Sequence, residues 1–245
     1  MAEAAEDDTR LVLRGWRLAR SGPPEASVYR ASIASDAAGF ALELELAATQ
    51  PLLLQGEAGF SRKGPRPEQA SHYYSQPQLA VRGTLTLDGR ALALQGRAWL
   101  DHEWSEAILD AEAVGWDWIG INLADGSALT AFRLRRADGS ALWAGGSLRR
   151  PGEAARAFGP DEVRFEPLAR WTSPASRATY PIEWRVSTPA GTQRVRALLH
   201  DQELDSRAST GAIYWEGLSE LLAEDGRRLG LGYLEMTGYA TPLRL

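Results

Sequence analysis

The sequence predicts an all-β protein built from antiparallel sandwiches or barrels. Apolar and polar residues alternate with a period of two along most of the chain, as in residues 40–47, where leucines alternate with Glu43 and Glu45. Asp-Gly pairs recur between such segments and are typical of hairpin turns. No segment is long and periodic enough to predict a stable helix. Short alternating strands joined by tight turns are typical of antiparallel β-folds.

The predicted strands follow one another at short intervals. They cover residues 11–19, 29–35, 40–47, 79–87, 91–100, 116–123, 128–135, 141–148, 163–170, 180–187, 192–199, 212–222 and 227–236. Turn sequences at residues 88–90, 124–127, 136–140 and 224–226 connect neighbouring strands, and each contains an Asp-Gly pair. This spacing predicts a succession of hairpins.

Composition excludes several classes of function. The chain has 245 residues, of which 44% are apolar, so it can bury a core. Its net charge of −5 and the absence of a basic cluster argue against a nucleic-acid-binding surface. No cysteine is present, which excludes disulfides, thiolate nucleophiles and iron–sulfur clusters. No apolar run is long enough for a membrane span. Lys63 is the only lysine, which we interpret as a compositional bias without functional content.

Two long segments interrupt the hairpin pattern. They are Thr49–Gln69 and Asp201–Gly211, and long ordered loops on β-scaffolds often carry function. The hairpin rhythm also breaks between Trp104 and Trp116, which favours a domain boundary there. We therefore expect a first domain over residues 10–108 and a second over residues 109–245.

Polar and aromatic residues are densest at the end of one predicted strand. Asp101, His102 and Glu103 are consecutive, and in an extended strand the two carboxylates share one face while His102 and Trp104 share the other. Burying all three polar groups is costly unless they are paired, solvated or used. Two interpretations stay open: a structural hydrogen-bond network, or an acid–base group facing an apolar cavity.

Other acid–aromatic combinations are candidate ligand-binding positions. Trp116 and Trp118 share a strand face with Asp117 on the other, and paired indoles are typical either of a core or of a ligand-stacking surface. The remaining candidates are Tyr73, Tyr74, Glu203, Tyr214, Glu216 and Glu235. The chain has no G-x-S-x-G elbow and no phosphate-binding Gly-rich loop. Its three histidines lack metal-ligand spacing, so we expect no metal site.

The strings at residues 96–105 and 114–123 make the sequence similar to a known family. Together with the blocks at 55–64, 71–75, 201–206, 214–217 and 232–239, they resemble the AttH-like family related to carotenoid 1,2-hydratases. The resemblance covers nearly the whole chain in order. It implies two lipocalin-like β-domains packed together, an architecture that fungal pericyclases share.

Two departures from the family pattern qualify what the resemblance implies. The long opening segment of the family, with its Glu-Trp-Trp-Tyr block, is not found, so we expect a first domain that lacks its opening strands. An export leader, if one exists, would lie upstream of Met1, which leaves the compartment open. Carotenoid hydratases also carry a nearby Tyr and Asp, and residues 128–135 contain neither. The proton donor that the resemblance implies is thus missing from its place, which counts against hydratase activity on carotenoids.

The resemblance implies a lipocalin-like protein that binds an apolar, isoprenoid or polyene-like small molecule. If the protein is an enzyme, the expected reaction is cofactor-free, acid-initiated hydration of a C=C bond. Burial beside tryptophan raises a carboxyl pKa, so Asp101 or Glu103 would be the acid, and His102 would orient it or activate water. The expected ligand-binding residues are Trp104, Trp116, Trp118, Tyr73, Tyr74, Glu203, Tyr214, Glu216 and Glu235. Alternatives are a non-catalytic carrier, an assembly module and a pericyclase-like enzyme, and the sequence leaves the oligomeric state open.

Overall fold

A computed structural model describes residues 2–106 and 109–243 of the chain. The chain divides into two compact units, residues 1–52 with 76–100 and residues 53–75 with 101–245. We call them unit 1 and unit 2. The boundary predicted between residues 108 and 109 adjoins residues 107–108, which lie outside the described part of the chain, and it stays a prediction.

Unit 1 is an antiparallel meander. It contains β1 (Ala2–Ala4), β2 (Arg10–Leu13), β3 (Trp16–Ser21), β4 (Val28–Ser35), β5 (Phe40–Ala47) and parts of β8 (Ala70–Leu87) and β9 (Arg90–Trp104). Each strand from β1 to β5 pairs with the next, β5 pairs with β8, and β8 pairs with β9. A short 3-10 helix at Pro24–Ala26 precedes β4.

Turn chemistry sets two hairpins of unit 1. Asp88 and Gly89 have φ of 49° and 78°, the conformation that a two-residue hairpin requires, and they join β8 to β9 as predicted. The single strand predicted over residues 11–19 is wrong. The chain turns at Arg14 and Gly15, with φ of 59° at Arg14, so that β2 and β3 form a hairpin of their own. Leucines on both sides of this turn concealed it.

Unit 2 contains a ten-stranded antiparallel sheet. Its strands are β10 (Gly115–Leu123), β11 (Ala128–Arg135), β12 (Ala141–Arg149), β13 (Arg156–Phe158), β14 (Arg164–Thr172), β15 (Thr179–Thr188), β16 (Gly191–Ala197), β17 (Glu203–Ser206), β18 (Ala212–Leu222) and β19 (Arg228–Met236). The order is β13-β12-β11-β10-β19-β18-β16-β15-β14, and β17 pairs with β18. In chain order β10 is the first strand of this sheet and β19 is the last, and these two strands pair with each other.

The main core of unit 2 lies on one face of this sheet. Ile119, Leu234 and Trp215 are fully buried there, and they pack with Trp184 from β15 and Val195 from β16. The alternate residues of β10 and β11 point to the opposite face. A smaller apolar cluster covers that face, built on Phe132 and Leu134 with Trp116 and Trp118 packed against it.

The remaining part of unit 2 comes from the long segment that the sequence analysis singled out. It contains β6 (Leu53–Leu54) and β7 (Phe60–Arg62), and both pair with the first half of β8. The predicted all-β fold with antiparallel sheets is confirmed. Within the described residues, no helix is long and apolar enough to cross a membrane.

Candidate functional site

A row of side chains crosses the smaller-cluster face of the unit 2 sheet. Trp118 on β10 lies opposite Glu235 on β19, and Glu235 lies opposite Glu216 on β18. On the other side of Trp118, the row continues to Phe132 on β11. Residues directly opposite in an antiparallel pair share a face, so two carboxyl groups and two aromatic rings are neighbours.

Glu235 is the carboxyl group whose environment most favours the protonated form. Removal from water, the charge of Glu216 and the more distant charges of Asp101 and Glu103 raise the pKa of Glu235 to about 8. A hydrogen bond from the Trp116 side chain acts in the opposite direction. Burial also raises the pKa of Glu216. These effects favour the protonated form of Glu235 at neutral pH.

Asp101 and Glu103 contribute to the same cluster from the end of β9. Asp101 accepts a hydrogen bond of 2.5 Å from Ser75 Oγ, and Glu103 accepts one from Ser71 Oγ. Both residues are exposed overall. We call Asp101, Glu103, Glu216 and Glu235 the acid cluster. The sequence predicted Asp101 or Glu103 as the proton donor, whereas the structure raises the pKa of Glu235 and, by burial, that of Glu216.

Lys63 supplies the positive charge of the acid cluster. Its Nζ lies 2.8 Å from Glu103 Oε1, and it sits 4.7 Å and 4.3 Å from the ring centres of Tyr73 and Phe132. The lysine side chain is only 7% exposed. Burial lowers the pKa of Lys63, and the Glu103 carboxylate opposes that shift. The aromatic faces and the carboxylate together hold an ammonium group out of water.

Tyr73 links this lysine to the tryptophan row. Its hydroxyl accepts a hydrogen bond of 3.2 Å from Trp118 Nε1. Burial, together with the charges of Asp101 and Glu103, raises the pKa of Tyr73 well above its usual value. The phenol therefore stays neutral and can act as a donor toward the carboxylates. Tyr214 lies two residues before Glu216 on β18 and so shares its face, and burial raises the pKa of Tyr214.

Gln55 fixes the segment that carries Lys63 to the sheet. Its side-chain amide nitrogen donates to Ser75 Oγ at 2.9 Å and to Thr130 Oγ1 at 3.1 Å, and its oxygen accepts from Ser147 Oγ at 2.8 Å. All four residues are buried. This network joins β8 to β11 and β12 on the face that carries the acid cluster.

His102 and Trp104 lie on the other face of β9. His102 Nδ1 is hydrogen-bonded to the Tyr74 hydroxyl at 2.9 Å, and its ring centre lies 5.0 Å from that of Trp104. The Trp104 indole also stacks on His72 at 5.4 Å and is 51% exposed. These aromatic residues form an exposed group, separated from Asp101 and Glu103 by the alternation of the strand.

Glu203 belongs to a third environment. It accepts hydrogen bonds from Ser173 Oγ at 2.7 Å and from Ser176 Oγ. It pairs with Trp215, which points to the main core, whereas Glu216 points to the opposite face. The structure thus brings together eight of the twelve predicted residues and leaves out His102, Trp104, Tyr74 and Glu203. The eight are Asp101, Glu103, Tyr73, Trp116, Trp118, Tyr214, Glu216 and Glu235.

Sequence reasoning missed Lys63 and Gln55 as members of this site. The available signal was that 26 of the 27 basic residues are arginines and one is lysine. An ammonium group is more compact than a guanidinium, so a lone lysine can indicate a confined position beside a carboxylate. Gln55 gave no such signal, because its partners come from three other strands.

Comparison with solved structures identifies the fold. The crystal structure of an AttH-assigned protein from Nitrosomonas europaea is 46% identical, with a TM-score of 0.89 over 96% of this chain and 72% of that one. Kievitone hydratase from Nectria haematococca is 16% identical, with a TM-score of 0.64 over 98% and 87%. CghA with Sch210972 is 11% identical, with a TM-score of 0.54 over 96% and 73%. The last two similarities concern the fold alone.

Sequence comparison defines the family. Among proteins of curated function, none matches the chain. The AttH-like family matches residues 1–239, which is nearly the full sequence. The resemblance seen in the sequence strings is thereby confirmed at the level of the family, and this chain belongs to the AttH-like family.

Proposed function

We propose that this protein binds an apolar small molecule with a C=C bond and hydrates that bond by acid-initiated addition of water. Glu235 would transfer its proton to one alkene carbon, and the neighbouring carbon would become cationic. Water would then add to the cation, and the proton that it loses would return to the Glu235 carboxylate. No cofactor enters this sequence of steps.

The observation that carries the proposal is the protonated Glu235 in a row of aromatic residues. A general acid works best when its pKa lies near the working pH, and the pKa of Glu235 is about 8. Trp118 lies directly opposite it, and the Trp116 side chain is hydrogen-bonded to it. Indole faces stabilise a developing cation through their quadrupole.

Glu216, Glu103 and Lys63 would set the charge around the Glu235 proton donor. Glu216 raises the pKa of Glu235 and would accept the proton of the attacking water as an alternative base. Lys63 neutralises Glu103, which limits the negative charge near the donor. We assign no step to His102, because its contacts are with Tyr74 and Trp104 on the other face of β9.

The comparisons support a reaction of this class without naming a substrate. Kievitone hydratase is by its name a hydratase, and CghA was crystallised with a small molecule, Sch210972, so the shared fold accommodates both properties.

A carrier that binds the same ligand without converting it is the second candidate. The exposure of Asp101 and Glu103 favours it, because solvent at the site weakens the electrostatic stabilisation that neighbouring groups give to a cation.

One experiment separates these candidates. The purified chain is incubated with geranylgeraniol and with neurosporene in detergent, and products that have gained one water are measured by mass spectrometry in ordinary and in oxygen-18 water. We expect hydration by the wild type, loss of hydration in Glu235→Gln with ligand binding retained, and normal hydration in the control Glu224→Gln, which changes an exposed turn residue. Binding without product in the wild type would favour the carrier. Undiminished hydration by Glu235→Gln would exclude Glu235 as the donor.

A further inference from the structure

The geometry points to a second ligand site in unit 2, which we propose binds an apolar chain that ends in a carboxylate. A pocket of about 500 Å³ lies beside β12 and β13, and its walls include Phe60, Phe132, Trp143 and Phe158. Pockets of this size and apolar character are typical of small-molecule sites. Arg62 lies in the same wall and supplies the charged group.

The pocket exists because β13 leaves the edge of β12. The two strands pair only from Gly146 to Leu148, and the chain departs after Phe158. The β12 segment before Gly146 therefore pairs with β11 alone. Gly145 adds no side chain to this space, and the Phe132 ring packs so closely that a Cβ at this glycine would lie 2.9 Å from it. The edge of β12 that β13 leaves unpaired gives room for a ligand beside the Phe132 ring.

Arg62 has unused hydrogen-bonding capacity at this pocket. Its Nη2 donates to the carbonyl oxygens of Gly64 and Pro65 at 2.9 Å and 2.8 Å, and its guanidinium carbon lies 5.0 Å from the Trp143 ring centre. Its Nε is buried and has no acceptor among the described residues. A ligand carboxylate in the pocket would pair with the charge of this guanidinium.

The lining chemistry favours a carboxylate on an apolar body over a fully polar ligand. Four aromatic rings provide the wall, and the backbone carbonyls already bound by Arg62 keep its guanidinium in place. Glu57 also lines the pocket, but this residue is exposed, so its charge is screened by solvent. The expected ligand therefore has a saturated or aromatic body and one anionic end.

This site is separate from the proposed hydration chemistry. None of the four carboxylates of the acid cluster lines the pocket in the described part of the chain. Phe132 belongs to both sites, because Lys63 Nζ packs against its ring and the residue also lines the pocket. The inference thus rests on Arg62 and the open edge of β12, and it holds whether or not Glu235 is an acid catalyst.

Calorimetric titration with two probes of equal apolar length tests the proposal. Dodecanoate and dodecanol are titrated, each below its aggregation concentration, into the wild-type chain and three variants. Arg62→Gln removes the charge at the pocket, and the matched control Arg170→Gln removes an exposed arginine charge on β14. Ala157→Trp fills the pocket from an exposed position on the edge strand β13.

We expect the wild type to bind dodecanoate more tightly than dodecanol. Arg62→Gln should weaken dodecanoate binding about tenfold or more and leave dodecanol binding unchanged, because only the charged hydrogen bond is lost. Arg170→Gln should resemble the wild type, and Ala157→Trp should weaken both probes. Absence of dodecanoate binding, equal loss in both arginine variants, or full binding by Ala157→Trp would each overturn the proposal.

Discussion

Glu216 and Glu235 lie directly opposite each other on β18 and β19, so two carboxyl groups face the same side of one antiparallel pair. Ionising both would place like charges side by side in a site partly withdrawn from water. The pair resolves this conflict by keeping a proton on Glu235, whose pKa is raised to about 8. The raised pKa of Glu235 thus follows in part from strand register.

Glu235→Gln should change how stability depends on pH. A free glutamate ionises near pH 4.5, so between about pH 4.5 and pH 8 the folded chain keeps a proton that the unfolded chain has released. The wild-type free energy of unfolding therefore falls as pH rises through this window, by at most about 1.4 kcal/mol per pH unit. The melting temperature of the wild type relative to Glu235→Gln should fall across this range, as measured by circular dichroism. The control Glu224→Gln should show no such trend, and a pH-independent difference for Glu235→Gln would contradict the expectation.

Removing Glu103 from its ion pair with Lys63 should lower the free energy of unfolding more than removing Lys63 does. Glu103→Gln leaves the 7% exposed ammonium without its counter-charge and should lower the free energy of unfolding by about 3 kcal/mol. Lys63→Met places an apolar chain between the Tyr73 and Phe132 rings and should cost less.

Urea unfolding of both single variants and the double variant gives the coupling free energy for this pair. The exposed pair of Arg66 and Glu68 provides the comparison, and Glu68→Gln should cost about 0–1 kcal/mol. Equal costs for Glu103→Gln and Glu68→Gln would mean that Lys63 is solvated in solution.

Gln55→Ala should destabilise unit 2 by about 2 kcal/mol. The substitution removes hydrogen bonds to Ser75, Thr130 and Ser147 and leaves these buried hydroxyls with fewer partners. Hydrogen exchange of residues 53–75 should accelerate more than that of the main core, since the network attaches this segment to the sheet. Gln95→Ala, at an exposed position of β9, is the control and should change neither quantity.

Asp117→Asn, a change of the one acidic residue of β10, should strongly destabilise unit 2. The carboxylate is fully buried, with Arg133 Nε at 2.8 Å, Arg135 Nε at 3.1 Å and a hydrogen bond of 2.8 Å from the Tyr239 hydroxyl. Losing its charge leaves the buried guanidinium of Arg135 and the partly buried one of Arg133 uncompensated, at a cost of about 3–5 kcal/mol. Thermal unfolding should show a large drop, whereas Asp161→Asn in an exposed turn should unfold like the wild type.

Local alternation was predictable from sequence, whereas the partners across strands were not. The period of two correctly placed Trp116 and Trp118 on one face and Asp117 on the other, because side-chain direction in a strand depends only on sequence parity. Glu235 acquires its raised pKa from Glu216 and from removal from water, and both depend on long-range pairing. The sequence therefore favoured Asp101 or Glu103 as the acid, and the pairing that raises the pKa of Glu235 could not be predicted from it.

The long segment at residues 49–69 illustrates the same limit. Its length and its Gly and Pro residues predicted an irregular functional loop. The segment does supply Arg62 and Lys63, but it forms β6 and β7 to do so, and these short strands exist because β8 offers them an edge. Short strands of two or three residues have no periodicity that a sequence pattern can detect.

The burial of Lys63 has a practical consequence for chemical modification. Since it is the only lysine of the chain, amine-directed acylating reagents have one side-chain target, and in the folded state it is enclosed by two aromatic rings. The rate at which that single amine is acylated consequently reports how often the surrounding strands open, and a bound ligand that holds them closed would slow the labelling.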